Sequence, residues 1–221
     1  MPENNRSRKA QIMAQSANTA ASSTVNLKWR VVDIAVASVI GVASALIYWL
    51  VALLTAAPWT ALDAVVPGLP GLFNGLWLFA GPLAAIIVRK PGAAVYAEVV
   101  AGILEALMGN MWGGLATFLI ALVQGVCAEL AFAIVRYRKW TLPVVTLSGA
   151  LSGVGCWAYS FIENLQGINL AGSYGIVYLI TTVVSGLLIA GILMWYLYRA
   201  IARTGALDKF ASGREVRGIS A

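Results

Sequence analysis

The sequence predicts an all-α membrane protein, a bundle of six transmembrane helices with both termini cytoplasmic, and three observations carry that expectation. First, the 221 residues are 60% hydrophobic and only 11% charged, too apolar for a soluble core of this size to hide. Second, the apolar residues fall into six runs, approximately Val31 to Leu54, Gly71 to Val88, Ala93 to Met108, Gly114 to Val135, Leu142 to Ile162 and Tyr174 to Tyr198. Third, all 15 Lys and Arg residues flank these runs on one side. Arg6, Arg8, Lys9, Lys28 and Arg30 precede the first run, and Arg89 and Lys90 separate the second from the third. Arg136, Arg138 and Lys139 separate the fourth from the fifth, and Arg199, Arg203, Lys209, Arg214 and Arg217 end or follow the last. Basic loops resist translocation, so that side is cytoplasmic. The net charge of +6 then reports topology and attraction to anionic lipid headgroups, with no nucleic-acid partner.

Residues 1–27 are rich in Ser, Asn, Gln and Ala and contain no apolar run, so they are expected to be a disordered cytoplasmic arm and not a secretory signal peptide. Residues 28–203 form one transmembrane substrate-binding domain, and residues 204–221 a polar cytoplasmic tail. At ~1.5 Å per residue the runs span or nearly span a ~30 Å hydrocarbon core, the third being the shortest. In the first run Ala37, Gly41 and Ala45 recur every four residues; Gly149 and Gly153 do so in the fifth beside Ser148 and Ser152, and the sixth carries Gly186 and Ala190. Small residues let helices approach closely in lipid. Such stripes serve internal packing or present a docking face to another membrane protein, the first run being the candidate for the latter. The connection from Thr55 to Pro70, with Pro58, Trp59, Asp63, Pro67, Gly68 and Pro70, is expected to be ordered, either covering an outward-opening site or anchoring Trp59 at the interface.

Glu98 and Glu105 in the third run and Glu129 in the fourth are carboxylates placed where hydrocarbon penalises them, and such groups face a cavity or a partner. Glu98 and Glu105 are two helical turns apart and share a face, and Gln124 falls near the depth of Glu98. Trp59, Trp77, Trp112, Trp157 and Tyr159 map to the outer half, with Asn74 one turn from Trp77 and Asn110 beside Trp112. Interfacial anchoring accounts for a lone Trp as well as a site does. Together, indole faces and carboxylates suit a planar, nitrogen-rich ring, because a carboxylate accepts two hydrogen bonds from an aminopyrimidine edge. Asp33 beside Arg30 reads as a surface pair or cap. The chain has no His, which excludes His-based catalysis and argues against a transition-metal site, and no cofactor is expected. Cys127 and Cys156 stand alone inside runs, as small core residues.

The stretch Gly75-Leu76-Trp77, then Arg89-Lys90-Pro91-Gly92-Ala93-Ala94, Ala97-Glu98, Glu105-Ala106-Leu107, Trp112-Gly113, Gln124-Gly125 and Ala128-Glu129-Leu130 resembles the YkoE-type S components. These are substrate-binding subunits of energy-coupling factor (ECF) transporters for thiamine or its hydroxymethylpyrimidine precursor. The match is detailed over residues 70–135 and extends to the six-helix layout. It implies a subunit that captures the vitamin from outside and then joins a transmembrane T component and two cytoplasmic ATPases, toppling in the membrane to release its cargo. It assigns Ala37, Gly41 and Ala45 to contact with the T component, and places Glu98, Glu105, Trp112, Gln124 and Glu129 in the matching motif without separating ligand contacts from helix braces.

Consistent with ATP hydrolysis on another chain, no Gly-x-x-x-x-Gly-Lys-Ser/Thr loop is present. The alternative class is a self-sufficient, proton-coupled secondary transporter of a small cationic or aromatic solute. Folds of that kind often carry internal repeats, and none is evident. An intramembrane enzyme would need a nucleophile and a base, and no such set is recognisable.

Overall fold

The computed structural model describes residues 27–110, 112–163 and 165–219, so the arm expected over residues 1–27 lies, apart from Leu27, outside the described residues. The first helix, α1 (Val31–Val65), starts at a cap built by Asp33, whose carboxylate accepts from the Arg30 backbone N–H at 2.8 Å and pairs with the Arg30 guanidinium at 2.6 Å. That acid is fully buried while Arg30 is half exposed, so Asp33 caps the helix start from beneath a surface arginine. The helix does not end at Leu54. It continues through Pro58 to Val65, so that Trp59 and Asp63 are helical and the connection shrinks to residues 66–70. Proline removes one ladder hydrogen bond, yet the turns on either side persist, with the Thr55 hydroxyl on the Val51 carbonyl at 2.7 Å. At ~1.5 Å per residue the helix is about 50 Å long, well beyond a ~30 Å hydrocarbon core.

The second apolar run is broken. It forms α2 (Gly71–Asn74), a 3₁₀ turn (Gly75–Trp77) and α3 (Ala80–Val88). The Ser185 hydroxyl accepts from the Gly75 N–H at 2.9 Å and sits where a Cβ on Gly75 would fall, so the turn is fixed by a distant helix. Next come α4 (Ala93–Met108), α5 (Gly114–Ile134) and α6 (Leu142–Glu163). The last run divides into α7 (Ser173–Ser185), eight residues of π-helix (Gly186–Leu193) and α8 (Met194–Arg203), and a short α9 (Ala211–Arg217) follows. No strand occurs among the described residues. By length and composition five segments can cross a membrane; α4, at 16 residues, falls short of that measure.

Helix α4 runs through the middle of the bundle, against α1, α3 and α5, with Ala93, Ala94, Ala97 and Ala101 wholly buried. Its close approach to α1 uses the Ala37–Gly41–Ala45 stripe: Ala37 and Ala45 are buried, and a Cβ on Gly41 would lie 2.7 Å from Val100 Cγ1. The stripe expected to meet a partner is therefore covered by this chain's own α4. Between α6 and the π-helix the backbones nearly touch, since a Cβ on Gly149 would lie 2.3 Å from the Gly186 carbonyl. Small residues supply the contact that hydrophobicity alone does not supply in lipid.

The basic connections meet at one end of the bundle. Trp29 Nε1 donates to the Pro91 carbonyl at 2.9 Å, and the Arg89 guanidinium lies 5.7 Å from the Trp140 ring and pairs with Glu215. The tail folds back beneath them, with the Ser212 hydroxyl donating to the Ile87 carbonyl at 2.7 Å and the Tyr198 hydroxyl to the Ser212 carbonyl at 2.8 Å.

Candidate functional site

At the opposite end from the basic connections, a cavity of about 340 Å³ opens between α1, the 3₁₀ turn, α4, α5, α6 and α7. Glu105 projects into it from α4. It is 3% exposed, and Oε1 accepts from Trp77 Nε1 at 3.1 Å. The Trp112 ring stands edge-on to Trp77, centroids 5.8 Å apart, so the carboxylate is framed by two perpendicular indoles. Asn110 is held in turn by the Thr117 hydroxyl at 2.7 Å, and its Oδ1 accepts from the Gly113 N–H at 3.1 Å. That Asx turn, with Gly109 and Gly113 at positive φ, positions the amide and the indole together.

The far wall is hydroxyl-rich. Asn74 Nδ2 donates to the Tyr178 hydroxyl at 2.9 Å and to Thr182 Oγ1 at 2.8 Å, while Ser160 lies 3.4 Å from Tyr178. Trp59 from α1 reaches this wall, its ring 6.5 Å from that of Tyr178. Gln124 from α5 also lines the cavity, and no Lys or Arg among the described residues does. With Glu105 inside and no cation to neutralise it, the cavity complements a donor-rich or cationic ligand.

The three buried glutamates divide by role. Glu98 is fully buried and does not line the cavity. Its Oε1 accepts from the Gly81 N–H at 2.8 Å and its Oε2 from the Tyr48 hydroxyl at 3.0 Å, and that hydroxyl accepts from the Ala80 N–H at 3.0 Å. Together they satisfy the first donors of α3, which has no cap of its own. Glu129 repeats the device for α4, accepting from the Gly92 and Ala94 N–H groups at 2.8 Å each. Burial, with the neighbouring Glu129 carboxylate adding to it, pushes the Tyr137 phenol up to about 12. Both acids thus brace helix starts, at two breaks that the fold requires.

Of the residues nominated from sequence, Glu105, Trp112, Gln124, Trp77, Asn74, Trp59 and Tyr159 line the cavity. Glu98, Glu129 and Trp157 do not; the Trp157 indole donates to the Gly175 carbonyl at 3.0 Å and ties α6 to α7. Tyr48, Thr117, Ser160, Glu163, Tyr174 and Tyr178 line it without having been nominated, and Cys156 is wall as well as core. Two of these were legible. Tyr48 stands one turn past Ala45 on the buried α1 stripe, and Thr117 stands on the α5 face of Ala121 and Gln124.

An all-helical membrane bundle with an acid-lined cavity at one end defines a class. A crystal structure described as an S-component of an ECF transporter superposes on this chain with a TM-score of 0.78 at 31% identity, covering 86% of this chain and 94% of that one. The molecule has the S-component fold and is a multi-pass membrane transport subunit of that kind. Residues 32–155 match the family model described as "ABC-type cobalt transport system, permease component". The chain is also 32% identical over 194 residues to the "Putative HMP/thiamine permease protein YkoE" of Bacillus subtilis (strain 168), covering 86% of this chain and 92% of that relative. It belongs to the family of YkoE-type S components.

Proposed function

We propose that this chain captures an aminopyrimidine, either hydroxymethylpyrimidine or thiamine, from outside the cell and delivers it inward together with a transmembrane T component and two cytoplasmic ATPase subunits. The observation that carries this reading is the Glu105 carboxylate, buried in the cavity, oriented by Trp77 and without a basic neighbour among the cavity-lining residues. The exocyclic amine donates to such a group, joined by a ring N–H when the pyrimidine is protonated, while an indole covers the ring. The relative's printed name, an HMP/thiamine permease, supports the ligand class.

Six spans with cytoplasmic termini follow from counting α4 as a short span and from the positive-inside bias. In that orientation the cavity opens outward and the basic end meets the ATPases. Burial of Ala37 and Ala45 leaves the lipid-facing side of α1, with Val39, Val42 and Leu46, as the surface for the T component. The chain itself performs no chemistry: it binds, occludes and releases.

Reconstitution tests this role. Liposomes holding this protein with its T component and ATPases are expected to accumulate labelled thiamine only when ATP is supplied. Accumulation by this protein alone under a proton gradient would replace the proposal with a secondary transporter.

A further inference from the structure

The cations at the basic end outnumber the acids that could neutralise them, and the surplus is ordered. Among the described residues every acid at that end is already engaged: Asp33 with Arg30, Glu215 with Arg89, Asp208 with Arg217, and Glu129 with the Gly92 and Ala94 N–H groups. Arg136, Arg138, Lys139, Arg199 and Arg203 belong to none of these ion pairs.

Helix α8 grades from apolar to aromatic to basic along its axis. Leu193, Tyr196 and Leu197 are exposed where the chain leaves the π-helix, Trp195 lies half-buried beside them, and Arg203 is exposed at the end. Trp195, Arg199 and Arg203 recur every fourth residue and form one file. The Arg199 guanidinium lies 6.0 Å from the Trp195 ring, which stands edge-on to the buried Tyr198 at 5.7 Å. The helical stretch Ser173–Arg203 has 31 residues, and at ~1.5 Å per residue it outruns a ~30 Å hydrocarbon core. Its last turns therefore reach headgroup level.

A second basic group shares that level. Gly149, Gly153 and the Thr146 backbone of α6 meet Gly186, Thr182 and Gly191 in antiparallel order, a Cβ on Gly191 falling 2.6 Å from Thr146 Cα. Arg138 precedes Thr146 by as many residues as Arg199 follows Gly191, so Arg138 and Lys139 fall at about the depth of Arg199. The positive-inside bias decides the side on which cations fall, but it does not set two of them in file beneath an indole.

We propose that this face of α8 binds an anionic phospholipid in the leaflet at the basic end, its acyl chains along Leu193 and Leu197 and its phosphate on Arg199 and Arg203. The order of side chains along the helix matches the order of parts in the lipid: tail, glycerol backbone beside Trp195 and Tyr196, then phosphate. Arg138 and Lys139 add positive potential, and no acid there is left to hold the ammonium of a zwitterionic headgroup. The site stands apart from the cavity, which lies at the opposite end.

Native mass spectrometry of the purified full-length protein, titrated in detergent with phosphatidylglycerol or with phosphatidylcholine of the same acyl chains, tests this. The native protein is expected to retain phosphatidylglycerol about tenfold better, and Arg199→Gln/Arg203→Gln to lose about tenfold of that retention. Single variants separate position from overall charge: Arg203→Gln should weaken retention about threefold or more, and Lys209→Gln, which removes a charge from the tail, by less than about twofold. Equal retention of the two lipids by native protein, a comparison that needs no variant, would overturn the site. So would equal losses in Arg203→Gln and Lys209→Gln, which would assign retention to net charge. If the double variant keeps its phosphatidylglycerol but no longer assembles with the T component and ATPases, the file of arginines is a protein contact and the lipid site is overturned.

Discussion

Trp77 Nε1 donates to Glu105 Oε1 across 3.1 Å, linking the 3₁₀ turn in the broken second segment to the central helix α4. The indole occupies one lone-pair direction of the carboxylate and leaves others toward the cavity, so the acid is aimed before ligand arrives. Glu105→Gln keeps the shape but replaces one acceptor oxygen with a donor. Titration of this variant is expected to show at least tenfold weaker binding, roughly 1.4 kcal/mol, with thermal stability in detergent little changed.

Trp112 is the more exposed of the paired indoles, at 37%, and stands edge-on to Trp77 at the cavity rim. Trp112→Ala removes a stacking face without opening the core. Its binding is expected to fall at least tenfold, again about 1.4 kcal/mol, and a titration curve equal to that of the native protein would remove Trp112 from the site.

Glu129 serves α4 as an external cap through the Gly92 and Ala94 N–H groups. Glu129→Ala leaves two helix-start donors short of their partner, and each unsatisfied buried donor costs about 1–3 kcal/mol. The expected result is a lower melting temperature, with ligand affinity falling only as folded protein is lost. Loss of affinity at full thermal stability would return Glu129 to the binding site.

How much of this was legible in the sequence depends on the kind of interaction that decides each feature. Helix α4 has the expected bounds, because Gly92 and Gly109 punctuate a continuous apolar run. The second run reads as one helix since Leu78 and Phe79 are as apolar as their neighbours; its break is made by Tyr48, Glu98 and Ser185 reaching in from three other helices. Pro58 and Trp59 read as a loop because proline usually stops a helix, whereas here α1 carries on past it. The π-helix begins where the backbones of Gly149 and Gly186 come together, a contact that no single run displays. Likewise Glu98, Glu105 and Glu129 look alike in sequence. Only tertiary structure reveals that two meet helix N-termini and one meets a cavity.

The close contact between α1 and α4 changes what a bulky residue at Gly41 should do. A Cβ there meets Val100 Cγ1 at 2.7 Å and the Ala97 carbonyl at 3.1 Å. Gly41→Leu is therefore expected to overpack the bundle core, costing about 1–3 kcal/mol and lowering the melting temperature before any effect on assembly is seen. Native stability with impaired uptake in the assembled complex would instead restore the stripe as a partner-docking face.

The most direct test is a structure of this protein with thiamine bound. The aminopyrimidine edge is expected within about 2.6–3.2 Å of the Glu105 carboxylate, its ring against Trp77 and Trp112. A ligand seated elsewhere, with Glu105 still bonded only to Trp77, would contradict it.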